Sequence, residues 1–350
     1  MSQLSHADLP GWPRKTRRQS SARKTRAGSL HFVKAVSRLS LRRWLLGLGL
    51  LSLFLAPGQV LATPARDSDE VKSLKAFDTP QNDPNDKLNW STAPAYGEEW
   101  TGVSWAKAGE GDYRVKEIVI EDAKLSGTLD LSSLKSLITL SVENNNFTSL
   151  DVSKNAALEK LSVADNKLTA VDVSRNALLE ELNVGENNLS SLDVTHSPAL
   201  KSLSVKKNKL TALDVSQNTA LEALEVSGNK LPLSQLYPMT TMGFQALALG
   251  DQTGVIPPSW PLSPLVTGKA YDLSSEMTFN GVDTVFSLTL NGETATINKD
   301  YSLTNGLLVF HKAGDYQIIM ENDEIHSGLS QDFRKASVQT EILKVASGGR

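Results

Sequence analysis

The chain has 350 residues, 36 Lys and Arg against 39 Asp and Glu, and a formal net charge of −3 at pH 7. It has no cysteine, which excludes disulfides, thiol nucleophiles and cysteine-ligated zinc. Hydrophobic residues make up 40% of it, enough to build a core and to exclude a wholly disordered chain.

The charge is spread unevenly. Residues 1–43 hold eleven Lys or Arg and one acid, Asp8. The apolar run Trp44 to Ala56 follows, thirteen residues long and too short to cross a bilayer. Small residues at Val60 and Ala62 complete the order of a secretory signal peptide. Residues 1–62 are therefore expected to be a signal segment with a long basic start, cleaved after Ala62 or after Ala65. The pair Arg42-Arg43 adds twin-arginine export as an alternative to the general secretory route. An exported location follows: secreted, periplasmic or cell surface. Removing eleven bases and one acid leaves 25 bases and 38 acids, a net charge of −13, which argues against nucleic acid or an anionic membrane as partner. No membrane span is expected.

Residues 63–128 are predicted to form an N-terminal cap. Asp67 and Glu70 fit a capping box, and Val71, Leu74 and Phe77 follow at helical spacing. A Pro/Asn/Asp loop comes next, then Trp90, Trp100 and Trp105. The segment from Trp100 to Leu134 resembles the N-terminal capping region of extracellular repeat proteins, W-x-G-V-x-C followed by R-V and L-x-G. Trp105 stands where that pattern has Cys, so packing must replace the disulfide. An aromatic ligand cage is the other reading of the three tryptophans.

Residues 129–236 carry the strongest signal. The pattern L-x-x-L-x-V-x-x-N-x-L starts at Leu137, Leu158, Leu179, Leu200 and Leu221, a period of 21 residues, with Phe147 ending the first copy. The half-pattern L-D-V-S-x-N fills the remainder of the units from Leu150, Val171, Leu192 and Leu213. One unit cannot fold alone, because so few apolar side chains do not offset the ordering of so much backbone. Stacked units share one core. Leu161 and Val163 are two apart, so on a strand both face inward and Ser162 faces out. The short remainder leaves room for turns, 3₁₀ pieces or short strands on the back. Asn145, Asn166, Asn187, Asn208 and Asn229 read as a buried structural ladder, since Asn carries a donor and an acceptor on a short arm. Asp130, Asp151, Asp172, Asp193 and Asp214 form an outward column with two readings: each accepts hydrogen bonds in its own turn, or the column holds a hard cation.

These repeats resemble the leucine-rich repeat. The resemblance implies a mainly β solenoid with a binding face and no catalytic machinery of its own. Candidate binding residues on the outward strand face are Thr139, Ser141, Lys160, Ser162, Glu181, Asn183, Ser202, Ser204, Ala223 and Glu225.

Beyond Leu231 the repeat decays. Residues 237–265 read as a C-terminal cap and Pro-rich linker around Trp260. Residues 266–346 alternate in short apolar segments, with turn signals at Asn280-Gly281, Asn291-Gly292, Asn305-Gly306 and Ala313-Gly314. The segment "AGDYQI" resembles the tyrosine corner of an immunoglobulin-like β-sandwich, with Tyr316 as the corner residue, Ile318 in the Cys position and Phe286 in place of the buried Trp. A fibronectin-like sandwich fits the same pattern.

The histidines after the signal segment are His196, His311 and His326, none in an H-E-x-x-H motif, and no G-x-S-x-G or Walker loop occurs. No cofactor and no metal are expected. Cap, 21-residue repeats and sandwich together resemble bacterial secreted or cell-surface repeat proteins of the internalin-like kind. That likeness implies a non-enzymatic protein that binds a protein partner or mediates adhesion through the strand face. Binding of a carbohydrate or envelope polymer is the alternative. Amino-terminal sequencing of the exported form should read from Thr63 or Arg66; product that retains residues 1–40 would refute the signal assignment.

Overall fold

A computed structural model describes residues 65–66, 68–83, 88, 90, 100–109, 112–255, 260, 265–327 and 334–348. The expected signal segment 1–62 and Asp67 of the expected capping box lie outside the described residues.

The array begins with strand β1 (Ala65–Arg66), helix α1 (Ser68–Phe77), and the antiparallel pair β2 (Val103–Gly109) and β3 (Asp112–Val119). Glu70 is fully buried, and its Oε2 accepts the Val115 N–H at 2.8 Å, which fastens the helix to β3. Phe77, Trp90 and Trp100 stack in sequence, with centroids 6.2 and 6.3 Å apart, and Phe77 lies 6.0 Å from Phe147 of the first repeat. Trp105, in the Cys position, meets Trp100 edge-on at 6.1 Å. Trp90 and Trp100 are buried, so this group seals the solenoid core and offers no open aromatic cage.

Each repeat then supplies one three-residue strand: β4 (Thr139–Ser141), β5 (Lys160–Ser162), β6 (Glu181–Asn183), β7 (Ser202–Ser204) and β8 (Ala223–Glu225). They pair in parallel, and equivalent residues of successive repeats sit side by side: Leu140, Leu161, Leu182, Leu203 and Leu224 in one row. That row and the Val142, Val163, Val184, Val205 and Val226 row are buried. The strands end where the chain takes a left-handed residue two places beyond the Val: Asn144, Asp165, Glu186, Lys207 and Gly228 all have φ between 49° and 69°. The back of each coil is built from turns alone.

The next residue in every coil is the ladder Asn. Asn166 Oδ1 accepts from the Phe147 N–H at 3.0 Å, and its Nδ2 donates to Val142 O at 2.9 Å and Val163 O at 3.1 Å. Asn145, Asn187, Asn208 and Asn229 repeat this arrangement one coil at a time. A second buried column comes from the half-pattern. Asn155 Nδ2 reaches Leu131 O and Leu134 O at 2.9 and 2.8 Å, and Asn176 and Asn218 do the same in their own coils. Ser197, which replaces Asn in the third half-pattern, keeps a longer contact to Asn176 O at 3.5 Å.

The parallel sheet extends past both ends of the Leu/Val pattern. Upstream, β3 pairs with β4 through Val115-x-x-Ile118-x-Ile120, with Ala123 in the Asn place. Downstream, helix α2 (Leu233–Thr240) leads into β9 (Ala246–Ala248), which pairs with β8. Phe244, Leu247 and Leu249 take the Leu and Val places there, and Gln252 takes the Asn place. Gln252 Oε1 accepts from Leu231 N–H at 3.1 Å, and Nε2 donates to Val226 O at 3.0 Å and Leu249 O at 2.7 Å. The repeat therefore changes its letters after Leu231 and keeps its hydrogen bonds.

Gln252 also opens strand β10 (Gln252–Val255), which pairs in parallel with a strand near the C-terminus. The remaining strands are β11 (Leu265–Val266), β12 (Ala270–Asp272), β13 (Thr278–Phe279), β14 (Val282–Asp283), β15 (Val285–Leu290), β16 (Glu293–Thr294), β17 (Tyr301–Thr304), β18 (Leu307–Phe310), β19 (Gly314–Ser327), β20 (Arg334–Thr340) and β21 (Leu343–Ala346). One sheet runs β10-β20-β19-β15-β16, with β21 on β19 and β11 on β21; another runs β12-β18-β17. Tyr271, Phe310, Tyr316 and Trp260 pack between them, Phe310 and Tyr316 with centroids 4.5 Å apart. Asn-Gly turns at 280–281, 291–292 and 305–306 each hold both residues at positive φ and join β13 to β14, β15 to β16 and β17 to β18. The Tyr316 hydroxyl donates to Asp300 O at 2.8 Å. Buried Glu276 accepts from the Ser234 N–H at 3.1 Å and from the Ser234 hydroxyl, so the sandwich side caps the first turn of α2.

Asn166→Ala strands the Phe147 N–H and Val142 O in the core and should cost about 2–3 kcal/mol. Thr169→Ala, exposed in the same coil, should change stability by less than about 0.5 kcal/mol. Urea unfolding of the two variants measures both; equal losses would place the Asn column on the outside.

Candidate functional site

The strand face is defined by the pleat. The residues between the buried Leu and Val of each coil, together with one residue on each side, point away from the core. Thr139, Lys160, Ser162, Glu181, Asn183, Ser202, Ala223 and Glu225 are partly exposed there. Ser141 and Ser204 are buried, 4% and 1% exposed, although the alternation predicts them open. Their hydroxyls donate to overlying carboxylates, Ser141 to Glu121 Oε1 at 2.8 Å and Ser204 to Glu225 Oε2 at 3.1 Å. Each Ser therefore forms the floor under a Glu.

The outward residues are joined across coils. Glu143 Oε1 accepts from the Ser162 hydroxyl and from Asn183 Nδ2, the latter at 3.1 Å, so one carboxylate ties three coils together. Lys160 Nζ meets Glu181 Oε1 at 2.5 Å across one coil step. Glu186 faces two lysines, Lys207 at 3.1 Å and Lys206 at 3.8 Å. Ala164 and Gly185 leave the middle of the face low, and a Cβ on Gly185 would meet the Lys206 stem at 2.9 Å. Glu121, Glu143 and Lys206 also belong to this network; the repeat pattern places Glu143 and Lys206 outward, and Glu121, which lies before the first repeat, is the one it does not reach. All three sit two positions past the strands, just after the buried Ile or Val, where the alternation still turns them onto the face.

The charges on the face alternate in sign along the solenoid: Glu121 and Glu143, Lys160, Glu181 and Glu186, Lys206 and Lys207, then Glu225. At its N-terminal end burial pushes the Glu121 carboxyl up, the Ser141 hydrogen bond opposes this, and the charges of Glu143 and Asp122 add to it. Towards the C-terminal end Lys206 and Lys207 share one carboxylate.

The Asp column lies on a different face. Asp130, Asp151, Asp172, Asp193 and Asp214 each accept the backbone N–H two residues on, at 2.8–2.9 Å. Hydrogen bonds from Ser132, Ser153, Ser174, Thr195 and Ser216 hold all five carboxyls below the usual carboxylate value. Each Asp closes its own turn. Among the described residues no three His, Cys, Asp or Glu are grouped to hold a metal ion.

No protein-family model matches the chain, and no curated protein matches it. Solved structures similar to it include the leucine-rich repeat ectodomain of the receptor kinase SOBIR1 from Arabidopsis thaliana, at 24% identity and a TM-score of 0.40, covering 47% of this chain and 95% of that one. An internalin from Listeria monocytogenes is similar at 23% identity and a TM-score of 0.31, over 33% of this chain and 38% of that one. A leucine-rich repeat protein of Leptospira interrogans is similar at 25% identity and a TM-score of 0.31, over 35% and 34%. The fold is mainly β, a leucine-rich repeat solenoid with turns of about 21 residues. Among the described residues no helix is long and apolar enough to cross a membrane.

The two carboxylate groups titrate in opposite senses. The Asp column has lowered folded pKa values, so its contribution is present above 3.8 and is lost as pH falls through the lower folded values. Glu121 is raised above 4.5, so its contribution is present below 4.5 and is lost as pH rises through the folded value. Glu121→Gln should therefore raise the melting temperature at pH 7 and make little difference at pH 4. Melting scans at both pH values check this, and an equal gain at both would remove the charge explanation.

Proposed function

We propose that the protein is an exported, non-enzymatic binding protein that engages a protein partner through the strand face of its solenoid. The observation that supports this reading is the face itself. Small polar residues and charges of alternating sign lie across the stacked coils, all held by a side-chain amide ladder that fixes their spacing. Such a surface recognises a partner by shape and charge pattern, and charge complementarity favours specificity and rate of encounter. The signal segment is residues 1–62, the N-terminal cap 63–128, the repeats 129–236, the C-terminal cap and linker 237–265, and the sandwich 266–346. The sandwich is immunoglobulin-like: Tyr316 bonds upstream backbone from a buried site, as a corner tyrosine does. The chain lacks cysteine in an exported setting, which fits a bacterial envelope or surface protein.

The face favours a protein over a carbohydrate. Sugars are held by stacking on aromatic rings, and among the described residues none of the exposed large hydrophobic side chains is aromatic. No catalysis is proposed: His196 stands exposed on the turn side, where the Thr195 hydroxyl lies 2.6 Å from Asp193 Oδ1 and 3.2 Å from the imidazole Nδ1.

Lysines at Ser162 and Asn183 add two charges to the centre of the face without touching the buried rows. The double variant should lose at least about tenfold in affinity for a protein captured from the producing cell's surroundings, with an unchanged circular dichroism spectrum. Unchanged affinity would move the site to the Asp face or the sandwich.

A further inference from the structure

Two charges on the strand face are incompletely balanced among the described residues. Glu143 receives hydrogen bonds from Ser162 and Asn183, but among the described residues it has no cation partner. Lys206 shares Glu186 with Lys207 and is the more distant of the two, 3.8 Å against 3.1 Å. Glu143 and Lys206 occupy the same position in their coils, three coils apart, or about 15 Å at the spacing of paired strands. Between them lie Ala164 and Gly185, the two smallest residues of that column.

We infer that the strand face is self-complementary and that the partner it fits is a second copy of this chain. This rests on the strand-face reading above and names its occupant. Consider a two-fold axis parallel to the strands, midway between β5 and β6. It turns one face onto another and sets β4 opposite β7, and β5 opposite β6. Glu143 then faces Lys206 of the second copy, and Lys206 faces its Glu143. Ala164 lies opposite Gly185, and neither projects into the interface, the Lys206 stem lying against Gly185. Lys160 faces Glu181 of the second copy. Each chain already pairs these two at 2.5 Å, so the two pairs close into a ring of four alternating charges.

The position of the axis is selective. An axis through β5 sets Lys160 against its own copy, and one through β6 does the same to Glu181. An axis along the solenoid sets Glu117 against Glu121. Only the axis between β5 and β6 brings both opposite-charge pairs together with no like-charge pair among the residues projecting from β3 to β8. Symmetric assemblies of this kind use the same patch on both subunits, so every contact counts twice.

The test is the mass of the exported protein by sedimentation equilibrium across a wide range of concentration. Wild type should form a dimer. Glu143→Lys and Lys206→Glu should each weaken it by about tenfold or more, because each places two like-charge pairs in the interface. The double variant restores both pairs in reversed sense and should return to within about threefold of wild type. Recovery in the double variant also shows that the single variants were not merely misfolded. Single variants that weaken without recovery overturn the pairing. A protein that stays monomeric overturns the dimer but leaves the strand-face reading intact, since a foreign partner can still be lost on Ser162→Lys and Asn183→Lys. A dimer indifferent to both reversals overturns the inference and moves self-association off this face.

Discussion

One side-chain amide per coil, bonded to the backbone of its neighbours, holds the array in register. Hydrophobic burial drives the stacking but is non-directional, and the Leu and Val rows alone would tolerate a slipped coil. The Asn ladder would not. Asn187 accepts from Leu168 N–H at 2.9 Å and donates to Val163 O at 3.0 Å, both in the preceding coil. A slip would leave several buried polar groups unpaired, each at a cost of about 1–3 kcal/mol. The second column, Asn155, Asn176 and Asn218, applies the same constraint on the turn side. The coil is thus fixed on two sides of its core, and the outward face inherits that precision.

The ends of the array follow from the same constraint. A ladder must finish where its last donor and acceptor are satisfied, and Gln252 does this with one extra methylene, reaching Val226 O and the Leu231 N–H. Gln252 also pairs with Val338 as the first residue of β10, so the final rung lies inside the sheet of the sandwich. The Glu276 cap on Ser234 is a second, independent tie between the same two parts. At the other end no amide is needed. Ala123 takes the Asn place, Asn145 reaches back to Ile120 O, and the packed rings of Phe77, Trp90 and Trp100 close the core in place of a disulfide.

The repeated part of the fold is legible because its period is rigid. A spacing of two inside L-x-V and of 21 between coils leaves one register, so the inward rows could be read from letters alone. The flanking coils were harder to read because physics constrains them less than the letters suggest. Phe244, Leu247 and Leu249 occupy the buried places of Leu, Leu and Val, and Gln offers the same amide as Asn, yet "FQALALGDQ" breaks the pattern. The Asn-Gly turns were legible for a local reason, since only residues tolerant of positive φ close a two-residue hairpin. On the face, alternation gave direction but not depth. Ser141 and Ser204 point outward and are still covered, because Glu121, two residues past β3, and Glu225, the strand neighbour of Ser204 on β8, fold over them.

That covering changes what the face can recognise. Small outward residues on an isolated strand would be weak, mobile contacts. Here the long side chains are already tied down, Glu143 to Ser162 and Asn183, Lys160 to Glu181, Glu225 to Ser204. Ordering a free charged side chain at an interface costs about 0.5–1.5 kcal/mol, and much of that cost is met here during folding. The alternating charges from Glu121 to Glu225 are therefore a fixed pattern on a stiff sheet. A fixed pattern discriminates by opposing the wrong charge as strongly as it welcomes the right one, and a face without aromatic anchors depends on that opposition for its specificity.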